Sequence, residues 1–335
     1  MIYAPVRIVT LNRYEHFKRC LESLENNLLA KNTEVYVSVD YPVKESHWEG
    51  YRKIVGYLDK KKECNGFAKL HVYIQEKNLG PGANYQFLEN IIFERHDRMI
   101  SLEDDIETSS NFLEYMDKSL EWGMDKEQIF CVCGYFHTDS NLLKCAIEDN
   151  NCMIKSTFNP WGIGHFRDEY LRMKSTISVE WMDCLASNGR FMLHLFIYRK
   201  YIFFMYVIEY LVNRSPVFFN NDGSLRNIDI VTNLYMEFSG KTAIFPTISK
   251  TRNWGFDGSG MNCKENKSAE YDRRQLDSKE TFDFKNNDPV MINKKLMRRA
   301  GQEVKENKKD IYTAVVYYFL YRFGILKIIR GRRRK

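Results

Sequence analysis

The chain has 335 residues, of which 44% are apolar and 28% charged, enough for one large α/β domain with additions or for two average domains. This composition excludes a disordered chain. The net charge is +6, but residues 327–335 contain six basic residues and no acidic one, so positions 1–326 hold 44 of each sign. A neutral body with a basic tail argues against a nucleic-acid-binding surface, and no nucleic-acid partner is expected.

Neither a secretory signal nor a membrane-spanning helix is predicted. The first residues lack a basic region followed by an apolar core. The two most apolar runs, 196–212 and 311–329, are both interrupted by charged residues. The eight cysteines have no paired spacing, which is typical of reduced thiols. The sequence therefore predicts a cytoplasmic protein.

The first 135 residues alternate strand-like and helix-like patterns. Short apolar runs predict strands over 6–10, 35–39, 70–74, 99–102 and 129–133. Apolar residues at helical spacing separate these runs, which predicts crossover helices between them. The sequence therefore predicts an α/β fold with a mostly parallel sheet and helices on both of its faces.

Two short motifs in this region carry local predictions. Ser46 and Glu49 have the spacing of a capping box at the start of the second helix. Residues 78–82, which include Gly80 and Pro81, predict a turn after the third strand.

Polar residues follow three of the predicted strands, at the sheet edge where ligands of such folds bind. They are Asn12 and Arg13 after the first strand, Asp40 after the second, and Glu103, Asp104 and Asp105 after the fourth. The last three residues are called the acidic triplet below. Adjacent carboxylates repel each other, so a hard cation such as Mg²⁺ or Mn²⁺ that bridges them to a diphosphate is favoured. The alternative is a solvated strand end that favours the N-terminus of the next helix.

Two of the other polar residues have both a binding and a structural interpretation. Arg13 can hold a phosphate bidentately, or it is an exposed arginine where a helix starts. Asp40 can accept hydrogen bonds from a base or ribose, or it is a turn residue before Pro42. The glycine-rich and metal-binding motifs of P-loop kinases, dehydrogenases, serine hydrolases and zinc enzymes are absent from the sequence.

These residues resemble the motifs of the GT-A glycosyltransferases. The resemblance covers residues 5–265 and is carried by 10–13, Asp40 and the acidic triplet. The acidic triplet is similar to the Glu-Asp-Asp form of the DXD motif in the N-acetylglucosaminyltransferase I family. Residues 241–251 resemble that family's segment ahead of its mobile donor loop, and 159–167 and 254–263 resemble bacterial family 2-type sugar transferases.

The resemblance implies a Rossmann-like GT-A domain over residues 1–290. Its nucleotide-sugar-binding half would span 1–135 and its acceptor-binding half 136–290, followed by a C-terminal amphipathic helical segment with a basic tail (291–335). The implied activity is a metal-dependent, inverting hexosyl transfer. The donor would be a nucleotide-sugar, preferably a UDP-sugar, and the acceptor a saccharide or lipid-linked molecule in surface polysaccharide synthesis.

The same resemblance assigns roles to the donor-binding residues. It implies that Thr10 and Arg13 line the nucleotide, Asp40 contacts the base, Glu103 and Asp104 contact the nucleoside, and Asp105 binds Mn²⁺ or Mg²⁺. Residues 252–262, around Trp254, would be a loop that closes over the donor, or else an ordinary surface loop.

The acceptor side is predicted from fewer signals. An inverting transfer needs a carboxylate base, and spacing in the family points to Asp229, with Asp222 as the fallback. Asp229 can equally be a helix N-cap or an exposed acid, and the tryptophans that flank the base in the family are absent here. Trp161 can stack on an acceptor sugar or lie in the core.

The C-terminal segment predicts contact with the inner face of an anionic membrane. It combines apolar and basic residues, namely Ile311, Val315, Val316, Phe319, Leu320, Phe323 and Leu326 with Arg322, Lys327 and Arg330. The alternative is a helix packed on the domain and followed by a solvated charged tail.

Two other functions compete with a glycosyltransferase. A sugar-phosphate nucleotidylyltransferase needs a glycine-rich basic loop after the first strand, but residues 11–15 contain no glycine. A non-catalytic, membrane-associated carbohydrate-binding protein has no need of the acidic triplet.

Overall fold

The computed structural model describes residues 3–213, 228–260, 275–285, 287–299 and 308–325. Asp222 lies outside these ranges, as does the basic tail from residue 326 onward.

Within the described ranges, the chain forms a nine-stranded, mostly parallel sheet and a separate two-stranded pair. The strands are β1 (Val6–Thr10), β2 (Glu34–Val39), β3 (Lys69–Ile74), β4 (Arg98–Glu103), β5 (Ile106–Thr108), β6 (Ile129–Cys133), β7 (Cys152–Lys155), β8 (Ile163–Phe166), β9 (Thr242–Pro246), β10 (Thr251–Asn253) and β11 (Val290–Met291). The sheet order is β11-β7-β9-β6-β8-β4-β1-β2-β3, and β5 pairs with β10. The predicted α/β fold class is confirmed.

Helices connect these strands and extend the second half of the chain. They are α1 (Tyr14–Glu25), α2 (Trp48–Glu63), α3 (Gly80–Phe93), α4 (Phe112–Gly123), α5 (Asn141–Ile147), α6 (Arg167–Thr176), α7 (Val179–Ser187), α8 (Gly189–Tyr198), α9 (Lys200–Met205), α10 (Ile228–Ser239), α11 (Lys294–Arg299) and α12 (Lys308–Arg322), with a π-helical segment at Tyr206–Val212. In the described part of the chain, none of them is sufficiently long and apolar to cross a bilayer.

The sheet is covered on both faces, as its strand pattern predicts. Alternate residues of the central strands enter two separate buried clusters: Ile8 and Leu102 pack with α1, α2 and α4, whereas Val9 and Met99 pack on the opposite face. Side chains of a strand point alternately to the two faces, so helices on both sides are needed to bury them.

Parallel pairing brings the carboxyl ends of three strands together. β1 pairs in parallel with β2 and with β4, and the registers place Thr10 opposite Val39 and Val9 opposite Glu103. The residues that follow β1, β2 and β4 therefore lie at one edge of the sheet.

The strands predicted in the first 135 residues are all present, and β1 and β6 have the predicted bounds. Two local predictions were wrong. Ser46 does not cap α2, because a 3₁₀ turn precedes that helix and its N-cap, His47, makes no side-chain hydrogen bond. Residues 80–82 are not a free turn, because they form the first turn of α3, where proline is tolerated.

One buried carboxyl group lies outside the sheet edge. Asp117 of α4 is fully buried, and one of its oxygens accepts a hydrogen bond from the backbone N–H of Ala4 at 2.9 Å. Its other oxygen has no hydrogen-bond partner. Burial raises the pKa of Asp117 to about 7, against the opposing effect of the Ala4 N–H.

We therefore expect Asp117 to make stability depend on pH. Its pKa is higher in the folded than in the unfolded chain, so its contribution to stability is greatest at low pH. As pH rises from about 4 to about 7, the free energy of unfolding should therefore fall by at most about 4 kcal/mol. Asp117→Asn keeps an acceptor for Ala4 but cannot ionise, so it should be more stable than wild type at pH 8. Urea unfolding at several pH values tests this, with Asp125→Asn at an exposed turn as control. An equal pH dependence in wild type and Asp117→Asn would contradict it.

Candidate functional site

The structure brings Thr10, Arg13 and the acidic triplet together at the carboxyl ends of β1 and β4. The Thr10 hydroxyl donates to Oδ2 of Asp104 at 2.8 Å. The Arg13 guanidinium donates to Oδ1 of Asp104 and, at 2.9 Å, to Oδ2 of Asp105. Arg13 thus bridges two adjacent carboxylates with two of its nitrogens and offsets their repulsion.

One carboxylate oxygen of this group remains unpaired. Asp105 is 7% exposed, and its Oδ1 is buried without a hydrogen-bond partner. A buried polar atom without a partner is unfavourable, and a carboxylate oxygen in that state is suited to bind a hard cation.

The two-stranded pair β5–β10 forms a wall beside the acidic triplet. β10 runs antiparallel to β5, with Asn253 opposite Ile106, and the N–H of Trp254 donates to the carbonyl of Asp105 at 3.0 Å. Residues 252 and 253 were predicted as part of a loop, but they belong to this strand. The described loop that follows, residues 254–260, is called the β10 loop, and residues 261 and 262 lie outside the described ranges.

Gly255 brings the β10 loop into close contact with the acidic triplet. A Cβ at this position would lie 2.2 Å from Oδ2 of Asp105 and 3.1 Å from Oδ1 of Asn253. Since real side chains do not approach so closely, any larger residue at 255 must displace the loop or Asp105.

Trp254 is held by protein side chains in this structure. Its indole Nε1 donates to Glu107 at 2.9 Å, and the Arg19 guanidinium lies 4.2 Å from the ring centroid. These contacts fix the start of the β10 loop against α1 and β5. A contact between Trp254 and a donor stays a prediction.

The electrostatics around Glu103 and Asp104 disfavour their ionised forms. Burial raises the pKa of Glu103 well above its usual value, and the charges of Asp105, Asp229 and Asp104 raise it further. Burial also raises the pKa of Asp104, although Arg13 opposes this. Burial disfavours the charged form of Arg13, but Asp104 and Asp105 outweigh that effect and raise its pKa.

Asp229, the predicted base, lies in the first turn of α10. Its charge is among the causes that raise the pKa of Glu103, so the two carboxyl groups are close enough to repel. The side chain of Asp229 is exposed, yet surrounding protein desolvates it and raises its pKa to about 6.

Buried polar contacts fix α10, and with it Asp229. Asn233 accepts hydrogen bonds from the N–H of Phe158 at 3.1 Å and from Arg199 at 2.7 Å. Glu237 binds His194, Arg199 and Lys294. Burial alone would raise the pKa of Glu237, but these partners outweigh it and lower the pKa to about 2.

Asp40 lies at the sheet edge but is occupied by the backbone. Its two oxygens accept hydrogen bonds from the N–H groups of Leu79 at 2.8 Å and Gly80 at 2.9 Å. The carboxylate therefore holds the start of α3, a structural role that differs from the predicted turn before Pro42. A contact with a nucleotide base stays a prediction.

Trp161 is half-buried beside the β10 loop. Its ring makes edge contacts with Tyr135 and Phe256, with centroid distances of 4.5 and 5.7 Å. Its carbonyl accepts a hydrogen bond from the Thr251 hydroxyl at 2.8 Å. The contact with Phe256 places Trp161 next to the β10 loop, while acceptor stacking stays a prediction.

Sequence reasoning missed the β5–β10 pair and the roles of Glu107 and Gly255. Three-residue strands give no periodic signal, and the glycines of the β10 loop indicated only a loop. Among the residues that the structure describes, no three or more His, Cys, Asp or Glu side chains are grouped so as to hold a metal ion.

Comparisons with known proteins give only partial structural likenesses. No protein-family model matches the sequence, and no curated protein is similar to it. Residues 1–349 of S. aureus TarS show 13% identity and a TM-score of 0.34, over 52% of this chain and 50% of that one. The mannosyltransferase PcManGT from Pyrobaculum calidifontis, in complex with GDP-Man and Mn²⁺, shows 10% identity and a TM-score of 0.34, over 51% and 47%.

This chain thus matches at most half of the length of either neighbour. At such scores, the likeness has no weight in assigning a function to this chain.

Gly255→Ala tests the close contact between the β10 loop and Asp105. Because the new methyl group must displace packed atoms, we expect the free energy of unfolding to fall by about 1–3 kcal/mol. Gly56→Ala is a matched control in an exposed turn of α2 with nothing within 4 Å of the new Cβ, and it should raise stability by about 0.5–1 kcal/mol. Urea unfolding measures both changes. Equal stability of the two variants would show that the β10 loop does not press on Asp105.

Proposed function

We propose that this protein is a glycosyltransferase that transfers a sugar from a nucleotide-sugar to a saccharide or lipid-linked acceptor. The observation that carries the proposal is the acidic triplet at the sheet edge, where Asp105 keeps one buried oxygen unpaired. A UDP-sugar donor, an inverting reaction and a role in surface polysaccharide synthesis follow from the family resemblance of the motifs.

The residues at this edge fit a divalent cation. Asp105 offers an unpaired carboxylate oxygen, and oxygen ligands suit Mn²⁺ or Mg²⁺. The cation would be held by one or two carboxylates and by substrate phosphates. When bound, the cation would neutralise the diphosphate that leaves the sugar.

Arg13 has two possible partners in this proposal. Without a donor it neutralises Asp104 and Asp105, as observed. A bound diphosphate offers it a second anionic partner within the same site, since a guanidinium pairs equally well with phosphate and carboxylate. Thr10 keeps Asp104 in place through its hydroxyl in either state.

Asp229 is proposed as the base. With a pKa of about 6 it is ionised at neutral pH, so it can accept the proton of an acceptor hydroxyl as that oxygen attacks the anomeric carbon. The β10 loop and Trp161 border the same edge and would limit the access of water to the donor. Asp222, outside the described residues, is the alternative base.

Asp105→Asn tests the cation assignment. The change keeps the shape of the side chain but removes its charge, so Mn²⁺-dependent affinity for UDP should fall more than about tenfold. Isothermal titration calorimetry of UDP with Mn²⁺ and with EDTA measures it. The EDTA titration should be equal for wild type and variant. An unchanged affinity with Mn²⁺ would remove Asp105 from the proposed cation site.

Asp229→Asn tests the base. The rate of sugar transfer should fall about 10²–10⁴-fold while UDP affinity stays unchanged, because the side chain acts on the acceptor. In wild type the rate should decline as pH drops below about 6, since Asp229 becomes protonated and can no longer accept a proton. UDP release from a panel of UDP-sugars with mixed saccharide acceptors measures the rate. If Asp222→Asn loses the activity and Asp229→Asn retains it, the roles are reversed.

A further inference from the structure

α12 is apolar on its inner side and on much of its outer side. On the inner side Ile311 and Ala314 are buried, and the Tyr318 hydroxyl donates to the carbonyl of Ala186 at 3.2 Å. The helix packs there against α9 and the π-helical segment Tyr206–Val212. These contacts fix which side of α12 faces outward.

The outer side carries a continuous stripe of large apolar side chains. Tyr312, Val316, Phe319 and Phe323 are 70%, 57%, 55% and 76% exposed. Steps of four, three and four residues place them on one helical face, and the N–H of Phe323 donates to the carbonyl of Phe319 at 3.0 Å, which continues the last turn. These four residues are called the α12 stripe.

This arrangement corrects the predicted apolar face of the C-terminal segment. Ile311 points into the core, and Val315 and Leu320 are half-buried, whereas Tyr312 was not part of the prediction. Leu326, Lys327 and Arg330 lie outside the described residues.

The charges around the α12 stripe indicate what covers it. The exposed Lys308 and Lys309 begin the helix. The exposed Arg322 ends it, with one guanidinium nitrogen donating to the carbonyl of Ser187 at 2.6 Å. The sequence continues after a few residues into 327–335, with six basic residues and no acidic one. A protein partner for an apolar stripe requires no such charge, whereas an anionic lipid surface offers both an apolar interior and negative headgroups.

We infer that the α12 stripe docks on the surface of an anionic lipid bilayer, with the basic residues around and after it contacting the headgroups. Aromatic side chains such as Tyr312, Phe319 and Phe323 are favoured at the boundary between headgroups and acyl chains. Apolar burial and charge together give the two signals that stable but reversible membrane binding needs. No residue of the proposed sugar-transfer site lies on α12, so this inference does not depend on the proposed function.

Flotation of the full chain with lipid vesicles tests this inference. Wild type should bind vesicles that contain phosphatidylglycerol and should not bind vesicles of phosphatidylcholine alone. Val316→Asp should lower the affinity about tenfold or more, because it removes an apolar contact and places a negative charge at the headgroups.

Val43→Asp is the matched control. Val43 is 61% exposed on another part of the surface, so the variant has the same residue change and the same net charge as Val316→Asp. It should bind as wild type does, and circular dichroism should show both variants folded. Equal binding by Val316→Asp and Val43→Asp would overturn the inference, as would no binding of wild type to the anionic vesicles.

A second copy of this chain is the competing occupant. In that case wild type would be a dimer by light scattering, Val316→Asp would be a monomer, and neither would float with vesicles. That result would also overturn the membrane inference. Replacing Arg332, Arg333 and Arg334 by Gln should weaken flotation at low salt and make the remaining binding less sensitive to salt, and unchanged flotation would contradict the role of the basic residues.

Discussion

Repulsion among three consecutive carboxylates is the constraint on which the sheet edge depends. The acidic triplet begins at the last residue of β4. Burial and the neighbouring carboxylates both raise the pKa of Glu103, so the ionised form is disfavoured there. Adjacency of β1 and β4 brings Arg13 and Thr10 to it, and both bind Asp104. The compensation is incomplete, because Asp105 retains an unpaired oxygen and Arg13 is already engaged by Asp104 and Asp105. An anionic ligand at this edge therefore needs a further positive charge.

The sequence predicted the features that are encoded locally. Apolar runs bounded by polar residues located the strands of the first half, and the position of the acidic triplet followed from the end of β4. Contacts between distant segments had no such signal. The residues next to Asp40 in the sequence do not show whether it binds a nucleotide or a distant part of the backbone. Only the fold shows that it accepts hydrogen bonds from the N–H groups of Leu79 and Gly80.

The second half of the chain was harder to predict for a related reason. β7 and β8 have four residues each, and no helix separates them. β8 runs antiparallel between β4 and β6, so the regular strand–helix alternation of the first half ends here. Family spacing selected Asp229, and the effect of its charge on the pKa of Glu103 depends on the fold, which sequence patterns alone do not reveal. The apolar and aromatic residues of the C-terminal segment were visible in the sequence, but which of them face outward depends on the packing of α12 against α9.

The pairing of β5 with β10 has a consequence for synthesis of the protein. Glu107 and Arg252 pair across 145 residues of chain. At a translation rate of about 5–20 residues per second, β5 therefore waits roughly 7–30 s for its partner strand to be made. Throughout that interval the acidic triplet lacks the wall formed by Trp254 and Gly255. A nascent chain can fold β1 to β4 early, but it holds an open, highly charged edge until most of its length has left the ribosome.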